Sequence, residues 1–444
     1  MFLNTKKHLQ ITKILYILVS DIKSKKMDTP VNTNIVNSEI EKSGLKDLGK
    51  ATIREIVGLV NKIQNVSGIK YVRMEMGVPG LKPPKIGIEA EIEALQSGVA
   101  SDYPMVDGVK ALKDEASKFV KNFIGIDVSP ESCIPTVGSM QGSYAVFLLC
   151  ANLEPQKDTA LFIDPGFPVQ KQQFRVMGHK FESFDVYNYR GKALREKLET
   201  YLSKGNINSI IYSNPNNPSW ICFTDEELKT IGELANKYDA IVIEDLAYFG
   251  MDFRKDLFHP GKSPYQVSVA NYTDNYVLLI SGSKAFSYAG QRIAVAAISD
   301  KIFNRQYPYL NDRFGCDKFG YTLVLRIIYS LSSGATHSAQ YAFAAMLKAA
   351  NDGEYNFIEE VKEYGHRARI MKKMFIDAGF KIVYDKDLNE DIADGFYFTI
   401  SYPGLSGGEL VKELLYYGIS AISLGTSGSL RTEGLRACVS QVTS

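Results

Sequence analysis

Val277-Leu278-Leu279-Ile280-Ser281-Gly282-Ser283-Lys284 passes from four apolar residues straight into small hydroxyl residues and a lysine. An apolar run without polar alternation belongs to a strand covered on both faces, as in a parallel sheet layered between helices. Runs of the same kind recur at Cys133 to Val137, Ala160 to Ile163, Ser209 to Tyr212, Ala240 to Glu244 and Ile293 to Ile298. Helix-period segments alternate with them: Glu89 to Gly98, Val109 to Ile124, Ser139 to Leu153, Val169 to Met177 and Glu226 to Lys237, the last with Thr224 as N-cap. The alternation predicts an α/β fold of three layers around a doubly wound, mostly parallel sheet. Ligands bind such sheets beyond the carboxyl ends of the strands.

After about residue 336 the pattern changes. A helical stretch from His337 to Ala378, broken near Asn351-Asp352-Gly353, leads into strands at Lys381 to Tyr384 and Phe396 to Ser401 and a helix at Glu409 to Tyr417. The segment before Gly68 carries the helical pattern Ile53-Ile56-Val57-Val60. The expected organisation is a large domain over 75–339 and a smaller discontinuous α+β domain from 27–74 with 340–444. Residues 1–26 hold a short apolar stretch, Ile14 to Val19, between lysines; it is too short to span a bilayer. They are expected to be an extension outside the fold, with Met27 opening the more ordinary sequence.

The formal charge of +1 gives no electrostatic reason to expect nucleic acid or an acidic membrane as partner. Five scattered cysteines without a CxxC pair speak against a disulfide framework or a zinc site and for the reducing cytoplasm. Five isolated histidines give no ligand spacing, so no metal is expected.

Several segments at strand ends carry candidate chemistry. In Thr136-Val137-Gly138-Ser139-Met140-Gln141-Gly142, Gly138 turns the backbone and leaves the N–H groups of Ser139 and Met140 at a helix N-terminus, which attracts phosphate. Asp164-Pro165-Gly166-Phe167-Pro168 leaves Phe167 at the next strand end, where its face could lie on a flat heterocycle. Ser213-Asn214-Pro215-Asn216-Asn217-Pro218-Ser219 takes an extended path that can hold the Asn217 amide as a donor. Ile241-Val242-Ile243-Glu244-Asp245-Leu246-Ala247-Tyr248 puts a carboxylate at the end of an apolar strand, where it must be paired; a protonated ring nitrogen suits it. Glu244 points to the opposite side. Taken singly, these segments also read as ordinary turns, core aromatics and solvated charges. A lysine at a strand mouth can condense with an aldehyde cofactor, while nearby hydroxyls and Arg292 hold that cofactor's phosphate.

From about Gly77 to Ser440 the chain resembles the class I/II aminotransferases, the fold-type-I pyridoxal phosphate enzymes. Asn217-Pro218-Ser219 resembles the family's Asn-Pro-Thr/Ser-Gly segment and Asp245-Leu246-Ala247-Tyr248 its Asp-x-x-Tyr. Ser281-Gly282-Ser283-Lys284 with Gly290 and Arg292 resembles its Ser-x-Ser-Lys-x5-Gly-x-Arg signature. Tyr103 to Gly108 matches Tyr-x4-Gly, Leu435-Arg436-Ala437-Cys438 the late arginine segment, and Gly77-Val78-Pro79 the early Gly-x-Pro loop. The resemblance implies an aminotransferase moving an amino group between an L-amino acid and a 2-oxo acid, with pyridoxal 5'-phosphate held on Lys284 as an internal aldimine. It implies that Asp245 keeps the pyridine nitrogen protonated, Asn217 and Tyr248 donate to the phenolate oxygen, and Phe167 stacks on the ring. Ser139, Met140, Ser281, Arg292 and Tyr103 from a second copy would hold the phosphate, so a homodimer is implied. Arg436 would grip the α-carboxylate, Gly77 would lie over the substrate, and Lys284 would move the proton from Cα.

Trp220 stands where the family has glycine; it either reshapes the loop or turns its indole outward. The chain ends eight residues after Arg436, where the family continues into a further helix, so the small domain is expected to lack that closing element. An elimination lyase acting on a carbon–sulfur or similar bond is the alternative on the same fold. A non-catalytic cofactor-binding regulator is the alternative of another class, but only about 75 residues precede Gly77 and they carry no recognition-helix pattern.

Overall fold

The computed structural model describes residues 29–442. The expected extension, residues 1–26, lies outside the described residues. The chain divides into two compact units: a smaller one made of residues up to Gly80, Asn217–Ile221 and Lys362–Ser444, and a larger one made of Leu81–Asn216 and Cys222–Val361. The larger unit reaches past the boundary expected at 339, because helix His337–Asn351 packs on helices Lys85–Gln96 and Lys110–Ile124 of that unit.

The larger unit is built on seven strands: β1 Cys133–Val137, β2 Thr159–Asp164, β3 Lys180–Asp185, β4 Ile207–Ser213, β5 Ile241–Asp245, β6 Tyr276–Ser281 and β7 Ile293–Ile298. Their order across the sheet is β1-β7-β6-β5-β4-β2-β3. Every neighbouring pair is parallel except the two that involve β7, so β1 to β6 share one direction and β7 alone opposes it. Both faces of the central strands are covered, as their unbroken apolar runs require. Val277 and Leu279 join Ala145, Phe147 and Phe174 in one core, and Leu278 and Ile280, which point the other way, are equally buried. The sheet is thus the doubly wound α/β arrangement expected, with one strand the sequence does not announce. Lys180-Phe181-Glu182-Ser183-Phe184-Asp185 forms the edge strand β3, which opens on exposed Lys180 and carries half-buried Glu182, charges that protect an open edge from foreign pairing.

The smaller unit holds a four-stranded antiparallel sheet in the order Ile422–Ser423, Leu435–Cys438, Tyr397–Ser401, Lys381–Ile382, with helix Gly407–Tyr416. Helices Thr33–Ser43 and Ile53–Ser67 belong to it, and strand Val72–Arg73 pairs in parallel with Ile419–Ser420. N-terminal and C-terminal sequence therefore share one unit. Strand Leu435–Cys438 sets Arg436 opposite Thr399 on one side and Ile422 on the other.

Helix Asp225–Tyr238 in the larger unit starts on a reciprocal cap: Thr224 Oγ1 accepts from Glu227 N at 3.3 Å, and Glu227 Oε2 accepts from Thr224 N at 3.0 Å. The same buried carboxylate takes both Arg190 Nε at 2.7 Å and Arg190 Nη2 at 2.8 Å, and the Gly191 N–H at 2.7 Å. Glu227→Ala strands a buried guanidinium as well as the cap, and is expected to lower unfolding stability by about 3–5 kcal/mol in denaturant melts. Thr224→Ala, which removes the cap alone, is expected to cost about 1 kcal/mol. Equal losses in the two variants would contradict this account.

Candidate active site

Because β1 to β6 run the same way, their carboxyl ends share one edge of the sheet, and the opposed strand β7 enters the sheet there. That geometry brings Ser139 and Met140 (after β1), Phe167 (after β2), Asp245 and Tyr248 (end of β5), Ser281 and Lys284 (end of β6) and Arg292 (before β7) to one edge. Asn216 Nδ2 donates to Pro165 O at 2.8 Å, tying together the turns after β2 and β4, where the strand order reverses.

The β1 turn faces Arg292. Gly138 has φ +65°, and a Cβ added to it would stand 2.5 Å from Arg292 Nη2, so only glycine lets the guanidinium come this close to the start of helix Gly138–Cys150. That helix begins on Val137 without a side-chain cap, which leaves its first N–H groups to meet an anion. The Ser139 hydroxyl is buried with no hydrogen-bond partner among the described residues. Arg292 itself adopts a left-handed backbone conformation (φ +53°), and its Nη1 donates to Ala289 O at 2.8 Å. Ser281 Oγ accepts from Ser283 N at 3.1 Å, and the turn around the half-buried Lys284 closes through Tyr288 N to Gly282 O at 2.9 Å.

Asp245 is buried and makes no ion pair among the described residues. Ala247 N reaches its Oδ1 at 3.1 Å and Gln170 Nε2 its Oδ2 at 2.9 Å. Burial pushes its carboxyl up to about 6 from the ordinary 3.8, against the pull of those two hydrogen bonds. Gln170 lies in the first turn of helix Pro168–Met177; an uncharged amide in a polar helix gave no residue-type signal in the sequence. Glu244 turns away as β-strand parity demands: Ser268 Oγ donates to it at 2.5 Å and Val269 N at 3.2 Å. Tyr248 is buried, whereas Phe167 is half-buried and pairs with no aromatic ring among the described residues. Tyr103 stands apart from this group, 89% exposed beside exposed Met105, on a surface shared with Asp107, His337 and Tyr341.

In the smaller unit, Arg436 is buried and its fork is partly engaged. Nη1 donates to Asn217 Oδ1 at 3.2 Å and Nη2 to Glu75 O at 2.5 Å, while Nε is buried without a hydrogen-bond partner. That bond fixes the Asn217 amide with its oxygen toward Arg436 and its NH₂, the donor half of the group, turned the other way. Gly77 abuts the hydroxyl of Tyr397, over whose ring the Arg436 guanidinium lies at 4.5 Å. Trp220 does not face outward: its indole is fully buried, in a left-handed backbone conformation with φ +64°. Among the described residues no three His, Cys, Asp or Glu side chains gather as metal ligands, and no helix is long and apolar enough to cross a membrane.

The sequence model of the family "Aminotransferase class I and II" matches residues 70–444. The probable aspartate aminotransferase of Methanocaldococcus jannaschii is 24% identical over 377 residues, covering 84% of this chain and 88% of that protein. The LL-diaminopimelate aminotransferase of Natranaerobius thermophilus is 23% identical, covering 81% and 84%. Among solved structures, Thermus thermophilus aspartate aminotransferase with maleate shares the fold with a TM-score of 0.71 at 18% identity, covering 89% of this chain and 93% of that one. The match takes in the whole larger unit and most of the smaller one, and the chain belongs to the class I and II aminotransferases.

Proposed function

We propose that this aminotransferase moves an amino group between an L-amino acid and a 2-oxo acid with pyridoxal 5'-phosphate as its cofactor, and that Lys284 is the residue that binds it covalently. The observation that carries the proposal is the strand-edge group: a buried carboxylate without a cation, a lysine at the end of the next strand, and an arginine beside an uncapped helix start. These fit the cofactor. The unpartnered Ser139 hydroxyl, the N–H groups at Ser139 and Met140, Ser281 and Arg292 form a set of donors suited to a phosphate dianion. Asp245 suits a protonated ring nitrogen, since a cation is what its buried charge lacks.

When bound, pyridoxal phosphate supplies an aldehyde carbon and an electron-accepting ring. Asp245, oriented by Gln170 and the Ala247 N–H, would hold the proton on the ring nitrogen. Tyr248 and the Asn217 amide would donate to the phenolate oxygen, and Phe167 would cover the ring face. Arg436 would receive the α-carboxylate on its remaining donors, with Gly77 close by. Lys284, just past the end of β6, would be the amine that takes up and carries the proton from the substrate's Cα. Tyr103 from a second copy would complete the phosphate donors, which makes the working unit a homodimer; its exposure in one chain supports this reading. The scattered cysteines favour a cytoplasmic location.

Borohydride treatment of protein supplied with the cofactor is expected to leave a stable mass addition on the Lys284 peptide, absent in Lys284→Ala. Across a panel of L-amino acids with 2-oxoglutarate and pyruvate as acceptors, the wild type should yield one 2-oxo acid per amino acid consumed. Ammonia released with pyruvate would instead select the elimination lyase, and no adduct at all would overturn the proposal. Sedimentation should show a dimer; a monomer that holds the cofactor at full affinity would remove Tyr103 from the site.

The raised carboxyl of Asp245 carries a pH consequence. The folded state holds this proton more tightly than the unfolded chain, so its contribution to stability falls as pH rises from about 3.8 to about 6 and stays low above that. In cofactor-free protein, Asp245→Asn is expected to be the more stable form near pH 8 by on the order of 3 kcal/mol, with the gain vanishing near pH 4. Urea melts across that range check it; parallel pH profiles for variant and wild type would show that Asp245 is not held as a costly buried charge.

A further inference from the structure

We propose that Trp220 is a positioning residue: through the ring of Tyr397 it fixes the plane of the Arg436 guanidinium, and with it the grip on the substrate's α-carboxylate. This rests on Arg436 being the carboxylate-binding residue. The indole is fully buried and stands edge-on to the Tyr397 ring, with centroids 6.2 Å apart and planes at 70°. On the face of that same ring lies the Arg436 guanidinium, at 4.5 Å. Each ring is backed closely by a glycine. A Cβ placed on Gly395 would overlap the indole, and a Cβ placed on Gly77 would overlap the Tyr397 hydroxyl. Asn217 and Glu75 O hold the guanidinium by its two ends, but hydrogen bonds at the ends leave the tilt of the plane to whatever lies against its face.

Tyr397 supplies that contact and Trp220 braces it. Trp220 also sits three residues after Asn217 on the same short segment, so one piece of backbone places both the amide at the guanidinium's end and the brace behind its stacking partner. The left-handed backbone at Trp220 (φ +64°) is a conformation glycine adopts without strain, so the indole is retained against the local backbone preference. A carboxylate captured by two parallel N–H groups is sensitive to the tilt of their plane, which is the property the brace controls.

Trp220 is the only tryptophan in the chain, so its emission reports on this stack alone. In cofactor-loaded protein, maleate and propionate, carboxylates that carry no amino or oxo group to exchange, should change that emission saturably, and Arg436→Met should abolish the response. No response, or one that survives in Arg436→Met, overturns the proposal, whether or not the protein transaminates any amino acid tested. With the best amino donor, Trp220→Gly should raise KM about tenfold while kcat at saturation stays within about twofold, and Trp220→Phe should recover most of the loss. A fall in kcat with KM unchanged, or a Trp220→Phe variant no better than Trp220→Gly, also overturns it. Should Trp220→Gly fail to fold, Trp220→Leu is the variant compared with Trp220→Phe.

Discussion

Six strands running in one direction within a sheet buried on both faces leave the chain one place to expose chemistry. Side chains along Ile241–Asp245 or Tyr276–Ser281 are enclosed until the strand ends, so the first polar groups emerge at the carboxyl edge. Asp245, Ser281 and Lys284 lie there because the apolar runs before them stop there. The strand opposed to the rest then brings Arg292 to the same edge from the other direction. The sheet thus acts as a jig, and its burial supplies the rigidity that keeps the groups in place.

That burial also shapes the electrostatics. A carboxylate at the end of a covered strand is held away from water, with two hydrogen bonds and no cation among the described residues, and its proton affinity rises accordingly. The positive groups lie nearer solvent: Arg292 is exposed and Lys284 half-buried. Anionic and cationic ends of one ligand could therefore be recognised by environments of different polarity on the same edge.

Much of this was legible from residues alone, for a physical reason. Central strands must be apolar throughout, so Thr159–Asp164, Ile241–Asp245, Tyr276–Ser281 and Ile293–Ile298 stand out as runs, and the residues that break the runs mark the candidate site. Edge strand Lys180–Asp185 was not legible because an exposed edge is free to be polar. Leu435–Cys438 is four residues long and takes its identity from neighbours distant in sequence, Tyr397–Ser401 and Ile422–Ser423. Gln170 was silent because a neutral amide on a helix carries no mark of the carboxylate it meets. Trp220 was visible as a departure, yet its burial depends on the pairing with Tyr397, which no local pattern encodes.

The contact between the indole and Gly395 also bears on how this chain can change. The volume that a side chain at 395 would need is filled by residue 220, so the two positions share one fixed allotment of space. Enlarging 395 is barred while the indole remains and becomes permissible once it is gone. Any succession of substitutions at this pair must therefore shrink residue 220 before residue 395 can grow.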